Sequence, residues 1–202
     1  MRQPLRLSGA VAVGVTTVAI LLATLFSPNF HWSDNALSNL GVAETAAGTE
    51  LTVVLFNGGL ILGGLAGIGF GFFLALTTPA TGGRVVGALF GLAMVLMGGV
   101  GVFPQDQALH LPVAMGFYLL LSIALWADAA VALGQGWRRR ALAGLVSGAV
   151  NLLGWIGWAS TGSVQRPGLA IPEGIGALAL AVWTLWMTVG LIRGRWAGQS
   201  NA

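Results

Sequence analysis

Polar side chains that could hold a ligand occur together in the segment between the first two long apolar runs. Asp34 and Ser38 lie in the stretch SDNALSNLG. This stretch predicts a short helix that Ser33 or Asp34 caps and Gly41 ends, with Asp34 and Ser38 on one face. A carboxylate and a hydroxyl on one face suit a small polar ligand. The same pattern is also typical of an ordinary turn helix at a membrane interface.

His31 and His110 are the only histidines of the chain, and they lie in different segments between apolar runs. If these segments converge, the imidazoles and nearby carboxylates suit a metal ion, a lipid head group or a polar substrate. A metal site would require both histidines to meet beside a carboxylate, and no HExxH spacing supports one. Local hydrogen bonding by each histidine is the alternative, so the sequence identifies no cofactor.

Covalent catalysis has little support in the sequence. Ser38 could act as a nucleophile with a histidine and an aspartate, but no GxSxG motif supports that role. The chain has no cysteine, which excludes a thiolate nucleophile, an iron–sulfur cluster and a cysteine zinc site. Catalytic residues are therefore not identified, and whether the protein is an enzyme stays open.

His110 and Glu173 begin the fourth and sixth apolar runs, each after a loop proline. Helices that begin at similar depth would hold the two side chains at one level, so we predict that they share one cavity. Asn57, about two turns into the second run, is predicted at its floor, because a buried amide in lipid needs a partner. The alternative for Glu173 is an ordinary acidic residue in the first turn of a helix.

Six apolar runs must position these side chains. Hydrophobic residues make up 56% of the 202-residue chain and charged residues only 7%, where a soluble domain has about a quarter charged. Each run can cross about 30 Å of hydrocarbon as a helix. The predicted fold is an all-α integral membrane bundle in one domain, 1–202. Its predicted transmembrane helices span about residues 7–26, 51–76, 85–102, 111–133, 141–159 and 175–192.

Arginine placement predicts the orientation of the bundle. The nine basic residues are all arginines, and in a six-span topology only Arg166 lies on the side opposite the other eight. By the positive-inside rule both termini are cytoplasmic in a multi-pass protein of the cell membrane. Asp128, near the inner end of the fourth run, is predicted to pair with Arg138–Arg140 or with water. The arginines form no stripe, which argues against nucleic-acid binding.

Glycines recur every fourth residue in the second run, a spacing that lets helix backbones approach closely. The row consists of Gly59, Gly63, Gly67 and Gly71. Packing inside one chain is the simpler interpretation, and self-association through an outward-facing row is the alternative. The partners predicted are therefore the lipid bilayer and, in the second case, another copy of the chain.

Four short signatures at the ends of the runs resemble the six-span membrane proteins of domain-of-unknown-function family 998. They are SDNALSNLG after the first run, Asn57-Gly58 in the second, GVFPQDQALH before the fourth and IPEG at the start of the sixth. The resemblance implies a six-span topology but no activity. It draws attention to the residues within those signatures: Asp34, Ser38, Asn39, Gly41, Asn57, Pro104, His110, Pro172 and Glu173.

Three hypotheses about function follow. The first is a membrane protein of undetermined activity with an external polar pocket that binds a lipid head group or a small polar ligand. Its candidate ligand-binding residues are His31, Asp34, Ser38, Asn57, His110 and Glu173. The second is a non-catalytic packing or accessory subunit of a membrane complex. The third, a small-solute transporter, is weakened by the lack of broken helices and of an inverted repeat.

Overall fold

The structure is a computed structural model that describes residues 2–78, 80–161 and 168–195. It contains six long helices, and each is long and apolar enough to cross a membrane. Their bounds are α1 Arg2–Phe26, α2 Glu50–Thr77, α3 Ala80–Val102, α4 His110–Gly134, α5 Arg138–Ser160 and α6 Ala170–Ile192. The described chain contains no strand, so the predicted all-α, six-span fold is confirmed.

The helices are longer than the apolar runs, and the difference matters most in α6. The predicted span begins at residue 175, but α6 begins at Ala170. Pro172 and Glu173 therefore lie in its first turns, where proline is tolerated because the backbone N–H groups lack helical partners. Glu173 is thereby held on a helix and not on a loop. The cytoplasmic placement of the termini stays a prediction, and Arg166 lies outside the described residues.

The helix ends define two faces of the bundle. We call the face with residues 27–49, 103–109 and the start of α6 the loop face, which the arginine distribution predicts to be external. The opposite face, with Thr78, residues 135–137 and the end of α6, we call the arginine face. Buried aromatic side chains pack between α2, α3 and α6, with ring centroids 5.6 Å apart for Phe70–Phe90 and for Phe90–Trp183.

The glycine row of α2 packs against neighbouring helices of the same chain. A methyl group at Gly71 would lie 2.9 Å from the carbonyl oxygen of Gly87 and 3.0 Å from the amide nitrogen of Gly91, both in α3. Gly59 and Gly63 meet Ala19 and Thr16 of α1 instead, and Gly67 meets Met94 of α3. Within one chain the row thus brings α1 and α3 close to α2. Self-association through Gly59, Gly63, Gly67 and Gly71 stays a prediction.

A buried ion pair joins three helices at the arginine face. The Arg140 Nε of α5 donates to the Asp128 Oδ1 of α4 at 3.0 Å, and both side chains are fully buried. The Nη2 of the same guanidinium donates to the hydroxyl of Thr78, which follows α2, at 3.0 Å. The guanidinium carbon also lies 5.2 Å from the centroid of the Trp137 ring. The predicted pairing of Asp128 is confirmed, with Arg140 as its partner.

Candidate functional site

The long first loop is folded onto the bundle by hydrogen bonds between its two ends. The Ser27 hydroxyl donates to the carbonyl oxygen of Ala47 at 2.7 Å, and the Asn29 amide donates to that of Ala46 at 3.1 Å. Leu37, Leu40 and Ala47 are buried. The loop therefore covers the ends of the helices and does not extend into solvent.

The short helix in this loop is a 3-10 helix over Leu37–Gly41. It ends at Gly41 as predicted, but the predicted start at Ser33 or Asp34 is wrong. The Asn39 side chain accepts a hydrogen bond from the backbone N–H of Ala36 at 2.8 Å, so the helix is capped at Ala36 and begins at Leu37. Asp34 is consequently exposed in the preceding turn, whereas Ser38 is buried.

Glu173 connects the start of α6 to this 3-10 helix. Its Oε2 accepts a hydrogen bond of 2.6 Å from the backbone N–H of Leu37. A second bond joins the same segments, because the backbone N–H of Ala170 donates to the carbonyl oxygen of Asn35 at 2.9 Å. Glu173 is half-buried, and no cation among the described residues pairs with its carboxylate.

Gln105, in the α3–α4 connection, joins the other side of the 3-10 helix. Its Oε1 accepts hydrogen bonds from the Ser38 hydroxyl at 3.1 Å and from the Asn39 amide at 2.7 Å. Sequence reasoning missed this residue. The available signal was an uncharged amide directly after Pro104, in a segment where only Pro104 and His110 had been singled out.

The hydrogen bond of His110 determines what its free nitrogen can do. Nδ1 lies 2.8 Å from the carbonyl oxygen of Phe103. Because a carbonyl oxygen can only accept, Nδ1 must carry the hydrogen, which leaves Nε2 as an acceptor in the neutral ring. The His110 side chain is buried at the start of α4. Its Nε2 is nevertheless not enclosed without a hydrogen-bond partner.

Asn57 lies directly beneath the 3-10 helix. Its Nδ2 donates to the carbonyl oxygen of Gly41 at 2.9 Å. A methyl group at Gly41 would lie 2.5 Å from the Asn57 Oδ1, so the close approach requires glycine. Asn57 is not among the described residues that line either cavity at this face. The Asn57 amide fixes the 3-10 helix to α2. The prediction that Asn57 forms the cavity floor is wrong.

Two cavities open beside Ser38, His110 and Glu173. The first, which we call the central chamber, has a volume of about 230 Å³ and lies between α1, α2, α3, α4 and α6. The second, the side chamber, has a volume of about 350 Å³ and is lined by α4, α5 and the start of α6. Both are bordered by the same residues: Ser38, His110, Ala114, Tyr118 and Glu173.

Tyr118 completes the polar group, and sequence reasoning missed it although it is the only tyrosine of the chain. Its hydroxyl lies 3.4 Å from the backbone carbonyl oxygen of Glu173, to which it donates. Asn151 of α5 supports the same part of α4 by donating to the backbone carbonyl oxygen of Tyr118 at 2.8 Å. We refer to Ser38, His110, Tyr118 and Glu173 as the polar junction.

The polar junction is rich in hydrogen-bond acceptors. The Ser38 and Tyr118 hydroxyl hydrogens are already donated, to Gln105 and to the Glu173 backbone. What remains is the second carboxylate oxygen of Glu173, the Nε2 of His110 and the lone pairs of the two hydroxyls. This arrangement complements a group that donates hydrogen bonds, such as an ammonium or a hydroxyl.

The other predicted site residues, His31 and Asp34, lie apart from the polar junction. His31 is exposed, its backbone N–H donates to the Asn35 side chain at 2.7 Å, and it lines neither chamber. Asp34 also lies outside both chambers. Within the described residues, no group of three or more His, Cys, Asp or Glu side chains could hold a metal ion. The metal hypothesis for His31 and His110 therefore gains no support.

In a comparison with protein families, the chain matches the family model described as "Protein of unknown function (DUF998)" over residues 10–190. Comparisons with curated proteins and with solved structures give no match.

Proposed function

This chain belongs to the family of proteins of unknown function numbered 998, and we propose that its polar junction binds the head of an amphiphile. The head would be a hydrogen-bond donor, either an ammonium or a hydroxyl group, and the apolar tail would lie in an adjoining chamber. The protein would thus bind a lipid or a lipid-like molecule from the loop side of the membrane.

The observation that carries this proposal is the carboxylate of Glu173 beside an apolar chamber. Only one of its oxygens has a described partner, the backbone N–H of Leu37. An ionised carboxylate at the edge of the hydrocarbon region is costly unless its acceptors are used. A bound ammonium or hydroxyl group would use the second oxygen together with the Nε2 of His110. A phosphate or carboxylate head would instead be repelled, because no described cation faces it.

The walls of the chambers favour an apolar tail. In the central chamber, Phe56, Leu60, Met94 and Leu180 line the space below the polar junction. Ligand pockets of this kind combine mostly apolar walls with a few convergent polar groups that set orientation. A small polar ligand without a tail would leave this apolar space unfilled, so the amphiphile is the better fit.

The test uses amphiphiles with the same chain and different heads. Oleylamine, monooleoylglycerol and oleate are added to the purified protein in detergent, with ethanolamine and glycerol as tail-free controls. We expect oleylamine and monooleoylglycerol to raise the melting temperature by about 5–10 °C when the ligand is at about 100 Kd, since binding then adds about 2.7 kcal/mol. Oleate and the two tail-free controls should have little effect.

Glu173→Gln is the matching variant, because its Oε1 can still accept the Leu37 N–H. It should fold and insert normally but bind oleylamine at least about tenfold more weakly, as expected for a lost charged hydrogen bond of about 1.5–3 kcal/mol. Glu44→Gln, at an exposed position of the first loop, is the control and should bind as the native protein does. Equal, negligible effects of both substitutions would contradict the proposal and favour the accessory-subunit hypothesis.

A further inference from the structure

The two chambers have separate bodies but share a border at the polar junction. The central chamber extends among α1, α2, α3 and α6, and residues such as Thr16, Met94 and Ala181 border it alone. The side chamber extends along α4 and α5, and Leu119, Leu152 and Trp155 border it alone. Every polar residue of the junction borders both. The apolar chains of a ligand whose head group binds there can therefore extend in two directions.

Each chamber also reaches the outer surface of the bundle, at a different place. Leu178 of α6 borders the central chamber and is 65% exposed, and Leu21 of α1, which borders the same chamber, is 49% exposed. On the other side, Leu111 and Met115 of α4 border the side chamber and are 65% and 55% exposed. In a bilayer these exposed side chains face acyl chains, so lipid has access to both chambers.

A ligand with one chain would itself fill only one of these apolar spaces. Unfilled apolar space forfeits dispersion contacts, whereas a second chain would supply them. We propose that the ligand is a two-chain lipid whose donor-bearing head lies at the polar junction, with one chain in each chamber. This inference rests on the proposed function, since it takes from it the head group and its position.

The experiment compares dioleoylglycerol with monooleoylglycerol, which differ in the number of chains. Both affinities are measured for the full chain in the same detergent, so that micelle partitioning is common to all variants. We expect the native protein to bind dioleoylglycerol at least about tenfold more tightly than monooleoylglycerol, because each buried methylene of the second chain adds affinity. The ratio of the two affinities is the quantity to follow.

Two substitutions block the chambers separately. Ala181→Phe fills part of the central chamber and Leu152→Trp part of the side chamber, and each should reduce the ratio about tenfold, to near one. The matched controls are Ala130→Phe and Leu153→Trp, at exposed positions that border neither chamber. Both should keep the native ratio. If a blocking variant fails to fold, the smaller changes Ala181→Leu and Leu152→Phe replace it.

The outcomes separate this inference from the proposed function. A native ratio near one, or a ratio that responds to the blocking of one chamber only, overturns the two-chain inference while Glu173-dependent binding of monooleoylglycerol still supports the proposed function. Absence of binding of either glyceride and of oleylamine to the native protein overturns both. A preference for dioleoylphosphatidic acid over dioleoylglycerol would overturn the donor-head assignment on which the inference rests.

Discussion

The two ends of the bundle differ in how far their buried polar groups are paired within the protein. At the arginine face, Arg140 and Asp128 are fully buried and bond to each other, and Arg140 also donates to the Thr78 hydroxyl. At the loop face, Glu173 is half-buried, has one described partner and borders two chambers. The first arrangement pairs its two charges within the protein, although the Arg140 Nη1 is buried without a hydrogen-bond partner. The second leaves acceptors open beside apolar space. Under the proposed function, the arginine face stabilises the fold and the loop face binds the ligand.

The largest loss of stability is expected at the arginine face, where the charges of Asp128 and Arg140 are buried and paired. Asp128→Asn leaves the Arg140 charge buried without a counter-charge, and breaking such a pair costs about 3–5 kcal/mol. We expect a large fall in the free energy of unfolding, measured by titration with SDS and tryptophan fluorescence.

Arg139→Gln, at the exposed neighbouring position, is the control and should be close to native. The double variant Asp128→Leu/Arg140→Met should recover much of the loss, because it removes both charges together. Equal stability of Asp128→Asn and Arg139→Gln would show that the arginine face does not depend on this pair.

A medium loss of stability is expected from glycine substitution in α2, because the space around its glycines differs along the helix. Gly71, toward the arginine face, has the backbone of α3 within 3.1 Å of an added methyl group, whereas Gly58, toward the loop face, has nothing within 4 Å. Gly71→Ala should therefore destabilise the fold by about 1–3 kcal/mol through overpacking. Gly58→Ala should be neutral or stabilise by up to about 1 kcal/mol, since alanine is the better helix former.

The same pair of variants separates packing within the chain from self-association. Loss of monomer stability in Gly71→Ala, independent of protein concentration, supports packing within one chain. A change confined to oligomeric state, seen by mass photometry in detergent, would instead favour the self-association hypothesis for the row.

The smallest loss of stability is expected from substitution of His110 at the loop face. His110→Ala removes the hydrogen bond to the Phe103 carbonyl oxygen and should cost about 1 kcal/mol of stability. His110→Asn can supply an N–H donor near the Nδ1 position and should restore much of that stability. It lacks the Nε2 acceptor, so binding of oleylamine should stay weakened. Full restoration of both stability and binding by asparagine would limit His110 to a structural role.

Several features could be predicted because they depend on composition or on short spacing. The six helices follow from apolar runs that water cannot solvate. The pairing of Asp128 follows from its position near the end of α4, 12 residues before Arg140 at the start of α5. The start of the short helix was predicted wrongly because two good capping residues precede it. The side chain of Asn39 instead bonds to the backbone of Ala36, and this bond decides where the helix begins.

The polar junction could be predicted only in part. Ser38, His110 and Glu173 were expected to be functional, and they border the same two chambers. Gln105 and Tyr118 were missed because their importance lies in what they contact. Asn57 was misplaced because the sequence gives its depth in α2 but not the direction of its side chain, which points to Gly41.

The sequence alone determined that the protein lies in a membrane, how many times it crosses and which segments carry its polar side chains. These properties follow from the solvation of each segment separately. The tertiary structure decided which polar segments meet, since the contact of Leu37 with Glu173 joins residues 136 positions apart. It also decided where packing leaves space, because a cavity depends on the side chains of several helices at once and no single segment encodes it.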